Sequence, residues 1–335
     1  MTEQNENDFP LVSIIISNYN SKGSLAECLS SLLGMSYPNC EIIVVDAAST
    51  DGSAEFVEEN FPKVKLIREK RIGIGEAINV GIRASKGKLV VIDFNSDEVA
   101  SPEWLCNLYV ILKGSPWIGA IGGARIKWGS DNIIDSAGGR LYFFGHQSKI
   151  GEGRKYEEYP KTPREVDYLG CMLLERKIVD RIGLLDEAYF IYGEDADYSI
   201  RVKKAGYKVV CAPEAITYHK VSYSVGEQAE RQKYFLRRAE TRLVLKNGSL
   251  MEILFSMLWT EFLIFIDALM LLPMLRALIS KSRFAYLYEM NLYGSLKMSV
   301  KALLWNLVNM SLTCRERQKQ TKLLNSISSG SSGVI

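Results

Sequence analysis

The segment "VIDFNSD", residues 91–97, decides the fold because it begins as a buried strand and ends as a cluster of polar side chains. Val91 and Ile92 continue an apolar run, and Asp93, Asn95 and Asp97 follow within five residues. Carboxylates are seldom buried without a partner, so they do not belong in the centre of a core strand. The pattern indicates a strand that ends at the mouth of a site, where its last side chains face a ligand.

Three further apolar runs precede this strand, and helical segments separate them. The predicted strands are 11–20, 40–49, 64–69 and 88–97, and the predicted helices are 24–33, 50–60, 73–85 and 101–112. The last helix is expected to begin with Ser101 as its N-cap and Pro102 as its first helical residue. This alternation predicts an α/β fold with a parallel sheet and helices on both faces.

Polar side chains follow three of these strands at their carboxyl ends. They are Asn18-Tyr19-Asn20, Asp46, and Asn95-Ser96-Asp97. Ligands bind outside the carboxyl ends of the strands in open parallel sheets, and strand-end carboxylates can hold Mg²⁺ or Mn²⁺ against phosphates. The pattern predicts a nucleotide and metal site there, with Tyr19 stacking on the base and Asp46 bonding to it. Rim packing for Tyr19 and turn chemistry for Asp46 remain the alternatives.

Composition and charge narrow the function classes. The net charge of only +2 does not show the excess of basic residues that is typical of nucleic-acid-binding proteins. Six scattered cysteines without a CxxC pair indicate a reduced, cytosolic chain, and two histidines are too few for a multi-histidine zinc site. The polar N-terminus lacks the basic and apolar regions of a signal peptide. The segment "GIGEAIN" lacks the third glycine of a dinucleotide fingerprint, which argues against a dehydrogenase.

The segment "YGEDADYSIRVKKAG" supplies a second group of acids at the start of a predicted helix, about 195–204. Acids in a first helical turn commonly complement the helix dipole. The neighbouring residues "YFIYGED" are too aromatic for a simple solvated cap, so Asp195 is a candidate general base. Beyond this helix we expect a short strand and then helical structure from Tyr218 onward, with a domain boundary near residue 225.

In this order and spacing, the chain resembles the family 2 glycosyltransferases. The resemblance covers about residues 10–225, and six segments carry it: "VSIIISNYN", "IIVVDAASTDGS", "GIGEAINVGI", "FNSDEVASPEWL", "GCMLLERKIVDRIGLLDEAYFIYGEDADYSIRVKKAGY" and "ITYHKVSYS". It implies a GT-A fold and an inverting enzyme that uses nucleotide sugars. Asn95 in place of the first acid of the Asp-x-Asp motif is similar to the branch with rhamnosyl- and galactofuranosyltransferases.

The resemblance also implies roles for individual residues. The nucleotide contacts would be Ser17, Tyr19, Asn20, Asp46, Asp51, Gly75, Asn79 and Asn95. Asp97 and His219 would hold Mg²⁺ or Mn²⁺, and Asp195, with Glu194 beside it, would be the catalytic base. Asp93 is not counted as a ligand. The arginine often found in the glycine-helix motif is absent, so the donor, a UDP-, GDP- or dTDP-sugar, stays open.

The C-terminal third predicts association with a membrane. Residues 253–275 are long enough to span a bilayer, but Glu261 and Asp267 each cost about 2.5–3.5 kcal/mol, which brings the sum near zero. Further on there is an apolar stripe, flanked by Lys297 and Lys301, that consists of Leu292, Leu296, Val300, Leu303 and Leu307. We expect helices lying in the interface on the cytosolic face of a membrane, which suits a lipid-linked or glycan acceptor. Two membrane crossings, a helix core and an oligomer seam are the alternatives.

The predicted organisation is therefore a catalytic domain over 1–225, a membrane-associating helical region over 226–325 and a flexible tail over 326–335. Two other function classes remain open. A sugar-nucleotide nucleotidyltransferase has a related sheet, but its Gly-rich, basic first loop is missing here. A non-catalytic binding or scaffold protein that kept the fold is the other, and Asn95 leaves that alternative standing.

Overall fold

The structure is a computed structural model that describes residues 9–142, 145–220, 227–256, 258 and 292–330. The strands are β1 Val12–Asn18, β2 Cys40–Ala47, β3 Lys65–Glu69, β4 Leu89–Asn95, β5 Glu98–Ala100, β6 Ile118–Lys127, β7 Ile134–Ser136, β8 Gly139–Leu141, β9 Gln147–Lys149, β10 Arg164–Glu165, β11 Met172–Glu175 and β12 Lys208–His219. The helices are α1 Lys22–Leu33, α2 Ser53–Asn60, α3 Ile74–Ala84, α4 Trp104–Lys113, α5 Arg176–Ile182, α6 Glu194–Lys204, α7 Glu227–Asn247, α8 Leu292–Val308 and α9 Met310–Gly330.

One ten-stranded sheet organises the first two thirds of the chain, with the order β10-β12-β6-β11-β4-β1-β2-β3 and with β5 and β7 pairing alongside β12 and β6. The four strands predicted from the sequence are β1 to β4, and all their mutual pairings are parallel. Strand β11 runs antiparallel between β4 and β6. The sheet is therefore mixed, and the predicted α/β fold is confirmed.

Alternating side chains of the central strands bury two separate apolar layers. Ile14 and Ile16 of β1 pack with residues of α1 and α4, whereas Ile15 packs on the opposite face with residues of α3 and α6. The β-branched run of β1 suits a strand that is covered on both faces. Helices on both faces follow from this pattern, as the sequence predicted.

Strand β4 contains an irregularity at its polar end. Ile14 pairs with Val91 and Ile16 pairs with Phe94, so β4 carries one extra residue between these two pairs. Asp93 lies in this bulge with φ of 62°, in the left-handed region that side chains other than glycine rarely adopt. The bulge releases Asp93 from the regular alternation of the strand, so the polar end of "VIDFNSD" does not continue as an ordinary core strand.

Three local predictions were wrong. Helix α4 begins at Trp104, whose N–H donates to the Ser101 carbonyl, so Ser101 forms a preceding turn and no side-chain cap. Strand β12 continues through Tyr218 to His219 because its last residues pair with β5, where we expected helix. Helix α9 extends to Gly330, into the segment predicted as a flexible tail, since it continues the ladder of the preceding residues.

The chain divides into two compact units. One comprises residues 1–140, 148–221 and 323–335, and the other comprises 141–147 and 222–322. In the second unit, Asn306 of α8 is buried and its amide donates to the Arg238 carbonyl of α7, and the Arg242 guanidinium donates to the Thr313 hydroxyl at 2.6 Å. Among the described residues, no helix is both long and apolar enough to cross a membrane. Most of the predicted segment 253–275 lies outside the described residues.

Candidate active site

The carboxyl ends of β1 and β2 form a buried polar corner around Asp46. One Asp46 oxygen accepts a hydrogen bond from the Asn18 amide at 2.7 Å, and the other accepts from the Ser49 N–H at 2.9 Å. Asn20, with φ of 51°, accepts from the Thr50 N–H at 2.8 Å. These bonds shape the turn after β2, and Asp46 lies at the strand end that the sequence predicted.

Tyr19 lies at the outer edge of this corner and is 42% exposed. The guanidinium of Arg71, in the loop between β3 and α3, lies 3.3 Å from the centre of the Tyr19 ring. It lies 5.5 Å from the ring of Phe190, so one cation contacts two aromatic rings. The stacking partner that the sequence assigned to Tyr19 was a nucleobase, and the structure adds Arg71 to one face of the ring.

The remaining predicted nucleotide contacts lie on several elements. Ser17 pairs with Asn95 across β1 and β4, which places both near the sheet edge. Asp51 accepts hydrogen bonds from the backbone N–H groups of Lys22 and Ser53. Burial acts to raise the pKa of Asp51, but the hydrogen bond with the Ser53 side chain and these two backbone bonds outweigh it and lower that pKa. Asp51 therefore stabilises the starts of α1 and α2.

Gly75 and Asn79 pack against the loop that leads to the acidic helix α6. A side chain at Gly75 would reach the Asp186 carbonyl at 3.4 Å. The Asn79 amide donates to the Leu185 carbonyl and to Glu187, each at 3.0 Å, and its oxygen accepts from the Leu185 N–H at 2.9 Å. Asn79 thus holds this loop in position, and its contact with a nucleotide stays a prediction.

Asp97 and His219 meet because β5 pairs with the end of β12. The His219 Nε2 atom lies 3.5 Å from an Asp97 oxygen, and its Nδ1 atom lies 3.0 Å from an oxygen of buried Asp135. Burial lowers the pKa of His219, but the bonds to Asp135 and Asp97 outweigh it and raise that pKa to about 9. Burial acts to raise the pKa of Asp135, but its contacts with His219 and Lys149 outweigh it and hold that pKa below its ordinary value.

The donors at this edge fit a divalent ion that is shared with a diphosphate. No group of three His, Cys, Asp or Glu suited to a metal occurs within the described residues. Mg²⁺ commonly takes one or two carboxylates and completes its shell with phosphate oxygens and water. Asp97 and His219 supply one carboxylate and one imidazole. Asn95 donates its amide to Glu98 at 3.2 Å, which leaves its carbonyl oxygen as its available acceptor.

A group of acids lies around Arg125, whose guanidinium is 2.7 Å from Glu98. Burial raises the pKa of Asp195 above its ordinary value, against the effects of the Ala196 N–H and Arg125. Burial and then the charge of Asp195 raise the pKa of Asp93 well above its ordinary value, with Arg125 opposing. The positive charge of Arg125 is therefore shared among three carboxyl groups, those of Glu98, Asp93 and Asp195. The elevated pKa of Asp195 is what a general base requires.

Helix α6 holds its acids in different surroundings. Glu194 is buried at the first position of the helix, and Gly193, with φ of 84°, precedes it. Asp197 is fully buried and accepts from the Arg201 side chain at 3.1 Å, one helical turn later. Asp197 therefore stabilises the helix, whereas Asp195 lies beside the cluster around Arg125.

Sequence reasoning missed three residues of this region, namely Arg71, Arg125 and Asp135. Each lies far along the chain from its partner, so no local spacing signals the contact. Asp135 carried a weak signal, since it is an acid in the short strand β7 whose other two residues are Ile134 and Ser136. The register of β12 against β6 and of β6 against β7 brings Arg125 and Asp135 to the end of β12, whereas Arg71 reaches Tyr19 from the loop after β3.

Comparisons with known proteins agree with this architecture. The family described as "Glycosyl transferase family 2" matches residues 13–183, and "Glycosyl transferase family group 2" matches residues 168–309. An uncharacterized protein of Sinorhizobium fredii is 31% identical over 67% of this chain and 26% of its own length. An N-acetylglucosaminyl-diphospho-decaprenol L-rhamnosyltransferase of Mycobacterium tuberculosis is 26% identical over 64% of this chain and 78% of its own length.

Among solved structures, GalNAc-T7 with UDP, GalNAc and Mn²⁺ superposes with a TM-score of 0.59 at 18% identity, covering 71% of this chain and 48% of that one. At this identity the likeness shows the fold alone, which is the GT-A fold. The chain spans between about a quarter and two fifths of the length of the first relatives that it matches. Because the family 2 match extends over about half of the chain, this protein belongs to glycosyl transferase family 2.

Proposed function

We propose that this protein is an inverting glycosyltransferase, which moves a sugar from a nucleotide-diphosphate donor to a hydroxyl of a lipid-linked or cell-surface glycan. One observation carries the proposal: the pairing of β5 with β12 places Asp97 3.5 Å from His219, and the next residue, Glu98, contacts Arg125 at 2.7 Å. Arg125 in turn acts on the charge of Asp195. Direct displacement needs a base for the acceptor hydroxyl and a group that binds the leaving diphosphate. Asp195 is the proposed base, and Asp97 with His219 is the proposed diphosphate-binding pair. Family membership favours this function over a nucleotidyltransferase.

In the proposed reaction, Asp195 removes the proton of the acceptor hydroxyl as that oxygen attacks the anomeric carbon of the donor. The new C–O bond forms while the bond from the anomeric carbon to the diphosphate oxygen breaks, and the diphosphate leaves with the electron pair. One displacement inverts the configuration. Asp97 and His219 would hold Mg²⁺ or Mn²⁺, which supplies neutralisation of the leaving diphosphate when bound.

Several features support the assignment of the donor and acceptor classes. GalNAc-T7 was solved with UDP and Mn²⁺, which supports a metal-assisted nucleotide site in this fold. The name of the mycobacterial relative includes a decaprenol-linked acceptor, which supports a lipid-linked acceptor here. A UDP-, GDP- or dTDP-sugar is the proposed donor.

We also propose that the helical region associates with the cytosolic face of a membrane. The surface of α8 supports this, because an apolar group is turned outward next to the exposed residues Lys297 and Lys301. This group consists of Val300, Leu304, Leu307 and Val308. Apolar side chains with flanking lysines suit an interface that contains anionic headgroups. A homo-oligomer through the same helices is the competing use of this surface.

A nucleotide screen tests the proposed function. Calorimetry with UDP, GDP and dTDP, each with Mn²⁺ and with EDTA, should reveal one nucleotide whose binding requires the metal. Nucleotide sugars of that base are then tested for turnover on lipid-linked acceptors. Binding of every nucleotide with equal affinity in Mn²⁺ and EDTA argues against the metal site. Metal-dependent binding without any turnover favours the non-catalytic alternative.

A further inference from the structure

Asp135 connects the predicted metal-binding histidine to a lysine. It lies on β7 and is 2% exposed. One carboxylate oxygen is 3.0 Å from His219 Nδ1, and the other is 2.6 Å from the Lys149 ammonium on β9. Since the second ring nitrogen of His219 is 3.5 Å from Asp97, the imidazole lies between two carboxylates, and only Asp97 is at the predicted metal site.

The chemistry of these groups assigns a tautomer to His219. A carboxylate accepts hydrogen bonds, so the His219 nitrogen that contacts Asp135 must carry a hydrogen. Nε2 also faces a carboxylate, that of Asp97, so it carries a hydrogen when the imidazole is charged. A metal ion beside Asp97 would take the place of that hydrogen and bind the Nε2 lone pair, while the Nδ1–H group continues to donate to Asp135. Metal-binding histidines commonly donate their other ring N–H to a carboxylate, which fixes the ring orientation and increases its basicity as a ligand.

We propose that Asp135 is a positioning residue of the divalent-cation site, which holds His219 with the Nε2 lone pair facing Asp97. Lys149 holds Asp135 in position, because its ammonium donates to the carboxylate oxygen that does not contact His219. The inference rests on the proposed metal-dependent function. It assigns Asp135 no contact with the nucleotide or the metal, and its effect is exerted through His219 alone.

The full chain provides a matched control. Asp131 lies four residues before Asp135 and also pairs with a lysine, Lys155, at 3.0 Å, but its side chain is 85% exposed. Asp131→Asn therefore removes an aspartate–lysine pair from the same region without touching His219. Asp135→Asn keeps the size of the side chain. It replaces a carboxylate, which can only accept hydrogen bonds, by an amide, which can present either its oxygen or its NH₂ group to His219.

The first measurement is Mn²⁺ affinity, read from the loss of the free Mn²⁺ EPR signal in the presence of the nucleoside diphosphate that binds best. We expect Asp135→Asn to weaken Mn²⁺ binding by about 10–100-fold, the range for outer partners of metal ligands. Asp131→Asn should bind Mn²⁺ as the wild type does, and circular dichroism should show that both variants are folded. Wild-type Mn²⁺ affinity in folded Asp135→Asn overturns the inference while leaving the proposed function intact. Absence of Mn²⁺ binding by the wild type overturns both.

The second measurement reads the tautomer directly and does not depend on whether the Asp135 variant folds. The chain has two histidines, so His146→Gln leaves His219 as its single imidazole. With ¹⁵N-labelled histidine and diamagnetic Mg²⁺ plus the nucleotide, the spectrum should show Nδ1 protonated and Nε2 without hydrogen. The opposite tautomer overturns the inference. Lys149→Met, which keeps Asp135 and His219, should shift this spectrum towards a mixture of tautomers, and an unchanged spectrum removes Lys149 from the arrangement.

Discussion

Replacing Asp93 by asparagine should stabilise the protein at neutral pH and leave the acidic limb of its rate profile in place. Asp93 is buried in the bulge of β4 with φ of 62°. Asparagine tolerates this left-handed conformation as readily as aspartate does, so the substitution adds no backbone strain. It removes one carboxyl group from the cluster around Arg125 and leaves the volume of the side chain nearly unchanged.

The sign of the effect on stability follows from the direction of the pKa. Burial, followed by the charge of Asp195, raises the pKa of folded Asp93 well above the unfolded value of about 3.9. Between these two pKa values the folded state holds a proton that the unfolded state has released. Stability is therefore lost as the pH rises through this window. Asparagine takes up no proton, so the variant escapes this loss and should gain about 1.4 kcal/mol of stability for each pH unit above the unfolded pKa within the window.

Thermal unfolding between pH 4 and pH 8 measures this gain. In a domain of about 200 residues, 1 kcal/mol corresponds to roughly 2–4 °C in Tm. The advantage of Asp93→Asn should be largest at pH 7–8 and shrink towards pH 4, where the unfolded state also begins to hold the proton. Asp197→Asn is the control of opposite sign, because it breaks a buried pair with Arg201 and should destabilise the protein.

The same variant should leave the acidic limb of the rate profile in place. The folded protein keeps Asp93 protonated while Asp195 ionises, so Asp93 carries no charge that acts on the proposed base; burial is the main cause of the raised pKa of Asp195. The acidic limb of kcat/KM, which reports the base of the free enzyme, should therefore stay at the same pH. A Tm difference that is flat from pH 4 to pH 8, or an acidic limb that moves, refutes this order of ionisation.

Three further predictions concern the base, the metal ligand and the membrane surface. Asp195→Asn should lower turnover by about 10²–10⁴-fold while nucleotide affinity stays constant, and Asp197→Asn should lower turnover less; near-normal turnover of Asp195→Asn in a donor assay contradicts its role as the base. Asp97→Asn should remove the difference in nucleotide affinity between Mn²⁺ and EDTA, measured by calorimetry, and a persisting metal requirement contradicts its role as a ligand. Leu304→Glu should weaken flotation of the full chain with anionic vesicles by about fivefold to tenfold, because Leu304 is 54% exposed on α8. Leu33→Glu, at a residue of α1 that is 46% exposed, should not weaken flotation. Equal flotation of both variants contradicts membrane binding through α8.

The α/β fold could be predicted from the sequence alone, and so could the edge of the sheet where the candidate site is proposed. Runs of β-branched residues between amphipathic segments predict parallel strands, and parallel strands have their carboxyl ends at one edge. That reasoning identified Asp46 and Asp97 at strand ends and Asp195 at a helix start. These features depend on hydrophobic periodicity and on the residue types at the ends of strands and helices, and both can be read from residues that are neighbours in the sequence.

Only the tertiary structure decided which of these groups meet. Asp135 and His219 are 84 residues apart, and their contact depends on the pairing of β12 with β6 and of β6 with β7. The position of Asp93 depends on one extra residue in β4, and periodicity alone predicts a regular strand there. Periodicity tells which face of an element is buried, but the partner of a buried polar group is set by strand register and by bulges. Both arise from packing over the whole sheet, so no local stretch of sequence specifies them.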